Sequence, residues 1–265
     1  MCHFDNSSHI RIYIIESLAD SDLKTGSNLF NDLLKYLEYK DSLNDSELIK
    51  VKTKTDFLSA FNIIERNIKE ESIFPIIHIE AHGNEKSIVL EKGEILWSDL
   101  YDELIKINVL LSNRLILVLA MCNGGWITSC FNPEKRAPFR YLLSSANVVY
   151  EKELQNALVE FYSTFFFSEY PTLCLENLNN EIKNGESKFL MFDIGERFDY
   201  LVNLQNDPNQ LNLHVGSFKK IRESDPNFKS LSNELQNEEA RKYIKTFYDN
   251  IRAKKDYFMM TDLKQ

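Results

Sequence analysis

Two short apolar runs, residues 74–81 and 115–121, constrain this chain more than any other feature. Both are too short for a buried helix and rich in isoleucine, leucine and valine, which reads as strand. Each stops at a chemically reactive residue beside glycine: His82-Gly83 after the first, Cys122-Asn123-Gly124-Gly125 after the second. Segments of helical period stand between the apolar runs, with Leu29, Leu33, Leu34 and Leu37 on one face and Phe57, Phe61, Ile64 and Ile68 on another. Alternating strands and helices predict an α/β fold: a mostly parallel sheet flanked by helices on both faces.

In order, residues 9–15 read as a first strand and Ser27 as the cap of a helix running to Tyr39. Residues 47–53 alternate as a strand nearer the sheet edge, and Thr55-Asp56 opens a helix over 56–70. Lys92-Gly93 marks a hairpin turn within 86–97, and Ser98 caps a helix over 99–109. The run 115–121 is the most apolar and belongs centrally. Residues 123–137 read as a long loop, 139–144 as a short helix and 147–150 as a short strand. Helices over 153–167 and 171–184 and a last strand at 188–192 follow. After Gln205 the texture turns to Asn, Gln, Asp and Lys, with one helix near 230–256. The expected organisation is an enzyme-like domain over 1–205 and a mostly helical extension over 206–265.

The chain of 265 residues is 43% hydrophobic and 27% charged, enough apolar content for a sizeable core. Its net charge of −9 argues against nucleic-acid binding, which wants a basic stripe. The first residues lack the basic start and apolar core of a secretory signal, and no apolar run has membrane-spanning length. These features predict a cytoplasmic protein with no membrane partner. The four cysteines have no metal-site spacing. Cys2, Cys130 and Cys174 read as bland terminal, loop and packing thiols.

In a parallel sheet, sites form beyond the carboxyl ends of the strands. His82 and Cys122 both stand at such ends. A thiol attacks carbonyls as thiolate, and a neighbouring imidazole activates it or protonates the leaving group. The Gly83 and Cys122 N–H groups are candidate oxyanion donors, because glycine lets a substrate approach the backbone. Glu80 shares strand parity with His82 and is the candidate to orient it; His78 has the same parity and reads as a structural polar group. Gly124 and Gly125 suit a sharp turn after the nucleophile.

At these residues the chain resembles the caspase-like (clan CD) cysteine peptidases, nearest to the bacterial CHAT-type branch. The likeness rests on His78-Ile79-Glu80-Ala81-His82-Gly83, on the glycine-centred hairpin 88–96, and on Ala120-Met121-Cys122-Asn123-Gly124-Gly125. The stretch 139–149 and the helix bearing Phe161-Tyr162 add to it, so that it covers roughly 70–185. Asn123 and Gly124 depart from the Glu or Gln and the Thr or Ser that the family often carries. The resemblance implies a caspase-like fold and a cysteine endopeptidase with a His82–Cys122 dyad and an oxyanion hole at Gly83 and Cys122. It implies no metal or cofactor, a protein substrate, and an activating partner protein, as in bacterial effectors of antiviral defence. A non-catalytic binding module and another thiol-dependent acyltransferase or amidase are the alternatives. The loop 127–138, directly after the nucleophile, is expected to be mobile or closed over the thiol.

Overall fold

The computed structural model describes residues 9–263, except 42, 44, 168–172 and 184–187. Cys2 and parts of the expected 171–184 helix therefore lie outside the described residues. The order of strands is β1 (His9–Ser17), β2 (Asp45–Lys50), β3 (Ile73–Gly83), β4 (Ser87–Val89), β5 (Glu94–Leu96), β6 (Ile116–Ala120), β7 (Tyr141–Ser145) and β8 (Phe189–Asp193). The helices between them are α1 (Thr25–Leu29), α2 (Lys35–Tyr39), α3 (Lys54–Glu71), α4 (Trp97–Leu110), α5 (Glu151–Phe167) and α6 (Cys174–Glu181). A π-helical turn at Phe30–Leu34 joins α1 to α2.

The fold is α/β. The main sheet runs β2-β1-β3-β6-β7-β8, parallel except for β8 against β7, and the β4–β5 hairpin extends β3 antiparallel at its far end. Alternate residues of the strands divide two layers of core. Ile12, Ile14, Ile76, Val118 and Leu143 pack with Leu34, Leu158, Phe161 and Leu178 of the helical layer formed by residues 25–39, α5 and α6. On the opposite parity Ile15, Ile77, Ile79, Leu117 and Leu119 are buried, and α3, which also packs on α4, lies against β1 and β3. Helix α3 starts at Lys54, two residues before the expected 56, because Thr53 caps it: the Thr53 hydroxyl accepts from the Asp56 N–H and the Asp56 carboxylate accepts from the Thr53 N–H.

Four local expectations change. Helix α4 begins at Trp97 with Leu96 in the extended cap position, so Ser98 lies inside the helix rather than capping it. Residues 141–145 form a strand, not a helix, because this short apolar run bridges β6 and β8. Residues 147–150 carry no strand pairing. Ser27 lies inside the helix rather than capping it, and its N–H and hydroxyl both go to Glu16.

The chain packs as two compact units that divide at Asp193–Ile194, twelve residues before the change of composition at 206. The first holds the sheet and its helices. The second comprises α7 (Ile194–Asn203), α8 (Pro208–Ile221), α9 (Pro226–Lys229), α10 (Asn233–Ala253), α11 (Lys255–Phe258) and the short segment Asn132–Arg136. Val215, Phe218, Phe228, Ala240, Ile244 and Tyr248 form its own small core. The loop expected to be mobile is tied down at this segment. Arg136 makes a two-pronged ion pair with Asp262, both contacts at 2.8 Å, over the face of Tyr257, and Lys254 meets Glu134 at 2.5 Å. Upstream, Gly124–Cys130 forms a 3-10 turn. Among the described residues no helix is long and apolar enough to cross a membrane.

Candidate active site

The strand order reverses between β1 and β3: β2 lies on one side of β1, and β3, β6 and β7 follow on the other. Such a switch point leaves a crevice beyond the carboxyl ends of the strands. His82 is the penultimate residue of β3, just past its last parallel pair, and Cys122 follows β6, the next strand over. The two ends touch through backbone. A Cβ on Gly83 would lie 2.2 Å from the carbonyl oxygen of Cys122, so the approach exists only because residue 83 has no side chain. The Asn123 side-chain amide also donates to the Gly83 carbonyl, at 3.4 Å.

Beyond Cys122 the chain turns through Asn123, at φ 59°, and not through its glycines. Asparagine tolerates this left-handed conformation better than most residues with a Cβ. Gly124 instead permits close packing, since a Cβ there would meet Leu119 Cβ at 2.9 Å. Cys122 is half-buried. Its sulfur accepts from the Val149 N–H at 3.4 Å and faces the Val149 carbonyl at 3.7 Å. Val149 is buried, while Val148 and Tyr150, its neighbours in sequence, are exposed.

The imidazole of His82 is exposed, at 57% of its side-chain surface, and its Nε2 hydrogen-bonds Asp22 Oδ2 at 3.0 Å. Asp22 lies in the loop between β1 and α1. Partial burial pushes its carboxyl up, but hydrogen bonds from His82 and the Ala19 N–H, with the imidazole's charge and Ser21, outweigh this and hold it below the ordinary range. With Nε2 engaged by the carboxylate, Nδ1 is the ring nitrogen left for proton transfer. Imidazole and thiol share no hydrogen bond.

Asp22 replaces Glu80 as the carboxylate on His82. Glu80 lies on the same side of β3 as His82, but that side is covered by helices below the strand end. Glu80 is buried. Its Oε1 meets His78 Nε2 at 2.9 Å, its Oε2 accepts from the Thr25 hydroxyl, and His78 Nδ1 continues to the Tyr162 hydroxyl at 2.8 Å. Burial, with Glu80 nearby, pushes the Tyr162 phenol well above its ordinary value, so that hydroxyl stays protonated. Sequence reading passed over Asp22 as part of a polar loop. The usable signal was its place: an acid just past the first strand, on the edge where His82 and Cys122 also emerge.

Cys130 is half-buried in the 3-10 turn, and Cys174 is buried in α6, where desolvation pushes its thiol up. Among the described residues no group of three or more His, Cys, Asp and Glu side chains is gathered to hold a metal. The chain matches no protein-family model and no curated protein.

Proposed function

We propose that this protein is a cysteine endopeptidase acting on a protein substrate through His82 and Cys122, with Asp22 as the residue that orients the imidazole. One observation carries the reading: Asp22, His82 and Cys122 stand beyond the carboxyl ends of three adjacent parallel strands, with Asp22 on His82 and the backbones of Gly83 and Cys122 in contact. The motif order shared with caspase-like peptidases supports the same chemistry.

In this mechanism the Cys122 thiolate attacks the scissile carbonyl and His82 donates a proton to the leaving amine through Nδ1. Asp22 holds the Nε2–H and stabilises the imidazolium as it forms. The developing oxyanion lies toward the Gly83 and Cys122 N–H groups. Water then attacks the thioester, with His82 as base, and the acid product leaves.

A panel of peptidyl chloromethyl ketones tests the reading. Modification of Cys122 that requires both the peptide and His82, together with loss of proteolysis in Cys122→Ala and His82→Ala, is expected. A binding module would show no peptide-dependent labelling. An amidase or acyltransferase would be labelled but would generate no new protein termini in a comparison with Cys122→Ala. Full proteolysis by Cys122→Ala would end the proposal.

A further inference from the structure

The loop that delivers Asp22 is held at a single position from within and from below. Within it, the Ala19 N–H donates to Asp22 Oδ2 at 2.8 Å, the same oxygen that meets His82, and the Asp22 N–H returns to the Ala19 carbonyl at 2.9 Å. The Lys24 ammonium closes the loop by donating to the Leu18 and Ala19 carbonyls at 2.6 and 2.5 Å. At the exit, the Thr25 hydroxyl donates to Glu80, and the N–H and hydroxyl of Ser27 both donate to Glu16 at 2.7 Å. Glu16 and Glu80 are direct partners in the β1–β3 register, and both are buried. Between their donors sits Gly26, whose Cβ would lie 3.1 Å from Glu16 Oε1 and 3.3 Å from Glu80 Cδ.

Two buried carboxylates side by side are a costly way to seat the first turn of a helix. Apolar side chains of similar volume commonly seat one as well or better, because they escape the desolvation penalty. What carboxylates add is direction. Each fixes a particular hydroxyl or N–H, so the chain leaving the loop is held at defined points rather than against a smooth surface. The chain reaches Thr25 three residues after Asp22, so fixing Thr25 fixes where Asp22 stands.

We propose that Glu16, Glu80, Thr25 and Lys24 are positioning residues that lock the β1–α1 loop and thereby hold Asp22 against His82. The proposal rests on the peptidase reading for its consequence, but its geometry does not. Glu80 thus serves the imidazole at one remove, through Thr25 and the loop. His78 and Tyr162 extend the lock to α5, so the loop is braced against the helical layer as well as the sheet.

Two substitutions attack the lock from opposite ends: Thr25→Val, which removes the hydroxyl at nearly constant shape, and Lys24→Met, which opens the loop without burying a charge. The primary readout is the titration midpoint of the Asp22 carboxyl, followed by carbon-13 NMR. His82, the Ala19 N–H and the Ser21 hydroxyl face that group. In both variants the midpoint, low in the native protein, is expected to rise toward the ordinary carboxylate value. The rate of Cys122 modification by a peptidyl chloromethyl ketone is expected to fall by up to about tenfold, the loss expected when the Asp22 carboxylate itself is removed. Thr25→Ser is expected to restore both. A native Asp22 midpoint in folded Thr25→Val and Lys24→Met would overturn the proposal; should Thr25→Val fail to fold, Lys24→Met decides alone. Failure of the peptidase reading has a different sign, namely full proteolysis by Cys122→Ala, and it leaves the titration result standing.

Discussion

Gly83→Ala puts the closest approach in the site under direct strain. The new Cβ would sit 2.2 Å from the Cys122 carbonyl oxygen and 3.1 Å from Met121 Cγ, whereas real Cβ contacts do not fall below 3.0 Å. The carbonyl belongs to the backbone at the end of the central strand β6 and has no rotamer to escape into. The two strand ends must therefore part by roughly 0.8 Å, the deficit left by that 3.0 Å limit. A displacement near 1 Å costs a catalytic arrangement about a hundredfold in rate, and overpacking costs about 1–3 kcal/mol of stability. The assay is the second-order rate of Cys122 modification by a peptidyl chloromethyl ketone, with thermal unfolding of the same samples. Gly93→Ala is the control. Gly93 has φ +99° in the hairpin and nothing within 4 Å of a Cβ, so it should lose about 1–2 kcal/mol to backbone strain and leave the modification rate unchanged. Native rate and native melting temperature in Gly83→Ala would refute the close backbone approach and, with it, the juxtaposition of His82 and Cys122.

Asp22→Asn should lower turnover about tenfold, far less than the ~10⁴ lost when a buried triad aspartate is changed, because the exposed His82 ring retains solvent partners; a native rate would remove Asp22 from the mechanism. The Asp22 carboxyl is depressed in the folded state. Its contribution to stability is therefore complete above the ordinary value of 3.8 and is lost as pH falls through the lower folded value. Thermal melts of native protein and Asp22→Asn, taken from neutral pH down to about 2, should accordingly converge at the acid end. Iodoacetamide at mildly alkaline pH should alkylate Cys122 and spare Cys174, whose thiol is buried and pushed up; mass mapping of the modified peptides reads the difference. Trypsin should cleave slowly at Arg136 in the native protein and faster in Asp262→Ala, which removes both carboxylate contacts of that guanidinium; equal cleavage would show that the ion pair does not hold the segment.

Sequence alone determined the elements and their class. The periods of Phe57, Phe61, Ile64 and Ile68 and the uninterrupted run at 115–121 reflect burial demands that act within a few residues, so the α/β layering and the central place of β6 were legible without coordinates. His82, Gly83 and Cys122 were equally legible, because each ends such a run beside glycine. Tertiary structure alone decided what no short-range period encodes. Residues 141–145 are a strand because β6 and β8 offer unpaired edges on either side, although the same short apolar run suits one turn of helix. Asn123 takes the left-handed turn, and the glycines beside it are freed for close packing. Asp22, sixty residues from His82, reaches it only because the strand order reverses between β1 and β3 and sets the β1 loop beside the end of β3. Glu80, two residues from His82 and on the same side of the strand, is committed instead to His78 and Thr25, because parity fixes the side of the sheet and helix packing fixes what covers it.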